Sequence, residues 1–156
     1  MKDARRISGR ITRTFSGPMW HGPALAETLK DVTSADAAAR PIGHAHSISE
    51  LVLHLTAWSE IVRTRLREMP TDEPTAAEDW PLVMGHSKAD WKKAVARLEA
   101  GYSALAKDTA KLRDHQLTEK VPGRDHSVED MLNGIVEHGA YHGGQIVLLK
   151  RAIKRR

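Results

Sequence analysis

The sequence predicts an all-α protein built as a bundle of four long helices. Apolar residues recur every three or four positions and nowhere alternate as they would in a strand. Three of the long apolar stripes are preceded by a serine that can cap a helix. With 156 residues and 40% apolar composition, the chain can bury one sizeable core and is too short for two. Residues 1–156 are therefore expected to form a single domain.

The first stripe, Ile7, Ile11 and Phe15, is interrupted by Gly17-Pro18 and resumes after Pro23 with Leu25, Leu29 and Val32. A short helix from Ser34 to Arg40 should stop ahead of Pro41, because a proline ring disfavours helical backbone in the preceding residue. The second long helix carries Leu51, Leu55, Trp58, Val62 and Leu66. The third carries Trp91, Val95, Leu98, Tyr102, Leu105 and Leu112, and the fourth Met131, Ile135, Ile146, Leu149 and Ile153. Ser47-Ile-Ser-Glu50, Ser87-Lys-Ala-Asp90 and Ser127-Val-Glu-Asp130 have the form of capping boxes, in which two of the first turn's N–H groups find side-chain acceptors. Helices of about 20 to 25 residues, each apolar on one face, suit a bundle. The stretch from Met69 to Ser87, MPTDEPTAAEDWPLVMGHS, is long for a bundle turn and is expected to cross over and to carry part of a site.

The formal charge is +4, with the basic excess at the two ends, Lys2, Arg5, Arg6, Arg10 and Arg13, and Lys150, Arg151, Lys154, Arg155 and Arg156. Such runs are expected to be solvated faces, and cations suit the last turn of a helix. Aromatic residues that could stack on bases are not interleaved with them, so nucleic acid is not an expected partner. No apolar run approaches the roughly 20 residues that span a bilayer, and MKDARRISGRITRT has no apolar core of a signal peptide. A cytoplasmic protein with no membrane partner is expected.

The chain has no cysteine, so a metal site would have to use His, Asp or Glu. It has nine histidines. With His138 set at zero and about 100° per residue, His142 falls near 40° and Gln145 near −20°, inside the stripe of Met131, Ile135 and Leu149. Polar groups buried there cost about 1 to 3 kcal/mol each if unpaired. Histidines at i and i+4 can converge on one metal ion, and His54, between Leu51 and Trp58 on the second helix, can supply a third ligand. Three protein ligands leave open positions, the pattern of catalytic sites.

Gly139, Gly143 and Gly144 lie on the adjoining face; each costs about 1 kcal/mol in a helix, which tight packing or room for a ligand would explain. His46, His86 and His126, each directly before a capping serine, are expected to face solvent. His44 and His115 read as loop residues. His21 could border a pocket but is expected to be exposed, and Glu50 and Glu137 read as solvated carboxylates near the candidate ligands.

MWHGPALAETL at 19–29, AHSISELVLHLTAW at 45–58 and EHGAYHGGQIVLLKR at 137–151 together resemble the DinB-like superfamily of damage-inducible proteins, metal-binding four-helix bundles. The resemblance covers nearly the whole chain. It implies metal ligands at His54, His138 and His142, an up-down-down-up course with the long crossover between helices 2 and 3, and often a homodimer. It also implies zinc or nickel as the metal, with waters completing the coordination. Relatives include thiol S-transferases that use a low-molecular-weight thiol, a thiol-dependent isomerase, and proteins labelled hydrolases. The expected function is a metal-dependent enzyme, a thiol S-transferase or hydrolase, that activates a thiol or water for attack on a small-molecule substrate. The alternative is a non-catalytic, stress-associated metal-binding module.

Overall fold

A computed structural model describes residues 3–67 and 71–154. Lys2, Arg155 and Arg156 of the basic ends, and Met69 at the start of the long connection, lie outside the described residues. Among those described there are eight helices and no strand: α1 (Asp3–Ser16), α2 (Leu25–Leu29), α3 (Ser34–Ala38), α4 (Ile48–Arg65), α5 (Ala76–Asp79), α6 (Lys88–Lys111), α7 (Asp114–Leu117) and α8 (Val128–Lys154).

The long helices α1, α4, α6 and α8 follow the apolar stripes. Ile7, Ile11, Leu55, Leu98, Leu105, Leu132 and Ile146 are fully buried in one continuous core. α1 is shorter than expected, at 14 residues, because Gly17 turns the chain with φ at 76° and Pro18 follows it. The three capping boxes form. At α4 the Glu50 N–H donates to Ser47 Oγ at 3.2 Å, and the Ser47 N–H donates to Glu50 Oε2 at 2.7 Å. Ser87 with Asp90 and Ser127 with Asp130 do the same for α6 and α8. Two further boxes, Thr33 with Asp36 and Thr75 with Glu78, start α3 and α5. No long apolar stripe follows either one, which is why periodicity passed over α5. α3 ends at Ala38, two residues before the expected Arg40.

α1 and α4 each pack against both α6 and α8, so α1 sits diagonally across from α4. The cross-links give each contact a direction. Ala4 N–H donates to Asp114 Oδ1 and Ser8 Oγ–H to the Ala106 carbonyl, so α1 and α6 run oppositely. Arg6 reaches Glu129 and Arg10 reaches Asn133, so α1 and α8 run together. Glu60 with Arg97 and Arg63 with Asp108 set α4 parallel to α6, and a Cβ on Gly101 would collide with Ser59 Oγ where those two helices meet. Two parallel neighbours cannot be joined by a tight turn. The chain must travel back along α4, about 27 Å for its 18 residues, and this return path carries α5 over the face of α4 that holds His54. At the other end Lys150, from the basic tail of α8, is half-buried and donates to the Thr28 carbonyl of α2 at 2.5 Å. Arg6, Arg10 and Lys150 are thus engaged within the fold.

Among the described residues, no helix is long and apolar enough to cross a membrane.

Candidate metal centre

His54 is buried on α4, and His138 and His142 project from α8 one turn apart, half-buried and buried respectively. Their ring centroids form a nearly equilateral triangle, with His54 to His138 at 4.8 Å, His54 to His142 at 4.8 Å and His138 to His142 at 4.5 Å. One ligating atom from each lies within 4.8 Å of the others. Bonds of about 2.0 to 2.1 Å to a tetrahedral ion place donor atoms about 3.3 Å apart, so small side-chain rotations close the set. This cluster could hold a metal ion.

The protons on these rings are fixed by what holds them. His54 Nδ1 lies 2.7 Å from the Asp79 carbonyl oxygen, and His142 Nδ1 lies 2.6 Å from Gln145 Oε1. Both oxygens only accept, so each Nδ1 carries the hydrogen and each Nε2 keeps a lone pair. His138 Nε2 faces His54 Nε2 at 2.9 Å, while its buried Nδ1 has no hydrogen-bond partner among the described residues. The four nitrogens not used to hold the rings therefore have one proton and three lone pairs among them. A nitrogen buried without a partner costs about 1 to 3 kcal/mol, and a cation would give these convergent lone pairs a common partner. Metal-binding histidines show the same arrangement, with the outer N–H given to a carbonyl or carboxylate.

Electrostatics agree with neutral, ligating imidazoles. Burial, followed by the neighbouring His142 and His54, pushes the His138 pKa down to about 3, against a smaller raising effect of Asp79. Burial also lowers His142, partly offset by its hydrogen bond to Gln145.

The surroundings come from the returning connection. Asp79 ends α5 and meets His54 through its main chain, and its Oδ1 accepts from Trp58 Nε1–H at 2.7 Å while lying 3.3 Å from His54 Nδ1. Trp80 is sandwiched between two imidazoles, stacked 3.9 Å from His54 on one face and 3.6 Å from His46 on the other. The sequence pointed to this connection but not to Asp79, whose role is mostly played by its backbone. Next to the triad a cavity of about 540 Å³ is lined by Trp58, Val62, Arg65, Met131, Ile135 and His126, among others.

The other histidines divide differently from expectation. His46 is exposed but is not simply solvated, since its ring covers Trp80. His126 is half-buried and lines the cavity, because the turn ahead of α8 folds over the α4 face. His86, His44 and His21 are exposed. His115 lies in the short helix α7, exposed, 3.8 Å from Glu119. Glu137 is exposed. Glu50 serves the α4 cap and pairs with Arg40 at 2.5 Å. The glycines also separate. A Cβ on Gly139 would collide with Thr14 Cγ2 of α1 and approach Tyr102 Oη at 2.8 Å, whereas Gly144 has nothing within 4 Å. Tight packing explains Gly139 alone. All three glycines, with His21, border a small cavity of about 150 Å³.

No curated protein and no solved structure matches the chain. The sequence profile of the DinB superfamily matches residues 20–146, a span that contains α4, the returning connection and all three clustered histidines. Matched over most of its length, the chain belongs to the DinB superfamily.

Proposed function

We propose that the protein is a metal-dependent enzyme in which His54, His138 and His142 hold a divalent ion, zinc or nickel, for transfer or hydrolysis chemistry on a small molecule. The observation that carries this reading is three convergent imidazoles of which His54 and His142 already donate their Nδ1 hydrogens to carbonyl oxygens, leaving each Nε2 lone pair free to ligate, while a buried nitrogen of His138 has no partner among the described residues. When bound, such an ion supplies Lewis acidity, lowering the pKa of a water or thiol in an open coordination position. The chain's own residues do the rest. Asp79 and Gln145 fix the ring tautomers, Trp80 covers one face of His54 against water, and Trp58 holds the Asp79 carboxylate in place. With no cysteine in the chain, a thiol nucleophile must be a cosubstrate, and a low-molecular-weight thiol fits the resemblance to thiol S-transferases. The resemblance to the DinB-like superfamily is also what supports a homodimer.

One observation favours a second reading, a non-catalytic module. The cluster joins α4 to α8 across the core, so an ion there would also staple the bundle. Elemental analysis of purified protein, followed by thiol-transfer and hydrolase substrate panels with and without chelator, separates the two. Chelator-sensitive turnover supports the enzyme, and bound metal with no turnover on any substrate supports the staple.

A further inference from the structure

The cavity beside the imidazoles ends in a charge that the metal site does not use. Arg65, in the last turn of α4, is only 6% exposed. Among the described residues its side-chain hydrogen bonds go to Thr71 Oγ1 and Glu73 Oε2, both at 3.4 Å, long for a guanidinium, whose charge-assisted bonds run about 2.7 to 2.9 Å. A second guanidinium stands beside it. Arg124 takes the shorter contact with Glu73, at 2.5 Å, and donates from Nη2 to the Thr71 carbonyl at 2.8 Å, while its Nε is buried without a partner. Among the described residues, two arginines thus share one carboxylate whose side chain is 69% exposed, so that this pair of guanidiniums has one positive charge more than its shared partner offsets. Burial and the neighbouring Arg124 both act against the charge on Arg65, with Glu73 acting for it.

The cavity connects this charge to the triad. His54 and Arg65 are three turns apart on α4 and share a face. The guanidinium lies over the Trp58 ring, 5.7 Å from its centroid, and the same ring is 5.8 Å from that of His138. One indole therefore separates the cation from the imidazoles. Val62, Met131 and Ile135 make the walls apolar, and the volume of about 540 Å³ lies within the usual range for small-molecule sites. Gly134 sits at the edge, exposed, with nothing within 4 Å of where a Cβ would be.

We infer that this cavity is the substrate subsite and that it takes a carboxylate-bearing small molecule, with Arg65 receiving the carboxylate, Trp58 and the apolar walls its body, and the imidazole cluster facing its other end. The inference rests on the triad being the reactive centre and adds the substrate class. A planar monoanion matches both the excess of guanidinium over carboxylate in this pair among the described residues and the forked donors of a guanidinium, and Glu73, at the cavity's edge, already presents a carboxylate to the same arginines.

The test is a calorimetric titration of the full chain, as purified and after chelator treatment, with 3-phenylpropionate and its primary amide. The two probes share a shape and differ in charge. The acid should bind about tenfold or more tighter than the amide, a difference of about 1.4 kcal/mol. Arg65→Met should bring the acid down to the level of the amide. Gly134→Leu, which adds its side chain to open space and improves helix propensity, should keep the fold and weaken both probes. Equal binding of acid and amide by the wild type, discrimination retained in Arg65→Met, or no binding of either probe would overturn the inference. Discrimination by chelator-treated protein reports on the arginine alone, so it stands or falls separately from metal content.

Discussion

His54 Nδ1 donates to the main-chain carbonyl of Asp79 across 2.7 Å, joining a core helix to the connection that returns over it. Because the acceptor is backbone, removing the Asp79 side chain leaves this bond and takes away only the carboxylate near His54 and the acceptor for Trp58. Asp79→Ala should weaken metal binding by about tenfold, the lower end for a group that orients a ligand, and Asp79→Asn, which keeps an acceptor for Trp58, should weaken it less. Competition with a chelating dye measures both; wild-type affinity in Asp79→Ala would remove the carboxylate from the site.

The ligand set makes the most direct prediction. His54→Ala, His138→Ala and His142→Ala should each lose most bound metal by elemental analysis. Each should also lose the metal-dependent rise in melting temperature, which for an ion at 1,000 times its Kd is worth about 4 kcal/mol. His44→Ala and His115→Ala, both exposed, are the appropriate controls, since His126 lines the neighbouring cavity and His46 stacks on Trp80. Stoichiometric metal at wild-type affinity in His54→Ala would break the three-histidine assignment.

The glycines of α8 should respond with opposite signs. Gly144→Ala meets open space and should stabilise the protein by up to about 1 kcal/mol through helix propensity, about 2 to 4 °C in melting temperature for a chain of this size. Gly139→Ala drives a methyl into Thr14 and Tyr102 and should destabilise by about 1 to 3 kcal/mol. Thermal denaturation of chelator-treated protein checks both, and a stable Gly139→Ala would show that α1 and α8 can move apart there.

The depressed pKa of His138 gives an acid limb to stability. The folded protein keeps this imidazole neutral down to about pH 3, whereas the unfolded chain takes up the proton near 6.5. The stabilising contribution is therefore complete above about pH 6.5 and is lost progressively as pH falls from there toward 3, with His142 adding in the same direction. The capping carboxylates Asp36, Asp90 and Asp130 are held below their usual range by hydrogen bonds, so their losses begin only in more acid solution. Melting temperatures of chelator-treated protein should fall between pH 6.5 and 5, and His138→Gln should flatten that segment. A flat wild-type profile there would contradict burial of a neutral imidazole.

The sequence alone determined the four long helices, their caps and the histidines on their inward faces, because helical period and the serine boxes are local. His138 and His142 could be paired from spacing in one helix, and the phase of His54 put it on the facing side of another. What lies around them was decided only in three dimensions. The parallel packing of α4 and α6 forces the connection to run back along the bundle, and that path sets the Asp79 carbonyl on His54 and inserts Trp80 between His54 and His46. None of this has a local signature: a backbone carbonyl carries no residue code, and ring stacking between residues 34 positions apart depends on how the helices pack. The same holds for Arg65, which has no motif or periodic signature in the sequence and is set at the wall of the cavity by how α4 packs against α8 and the loops.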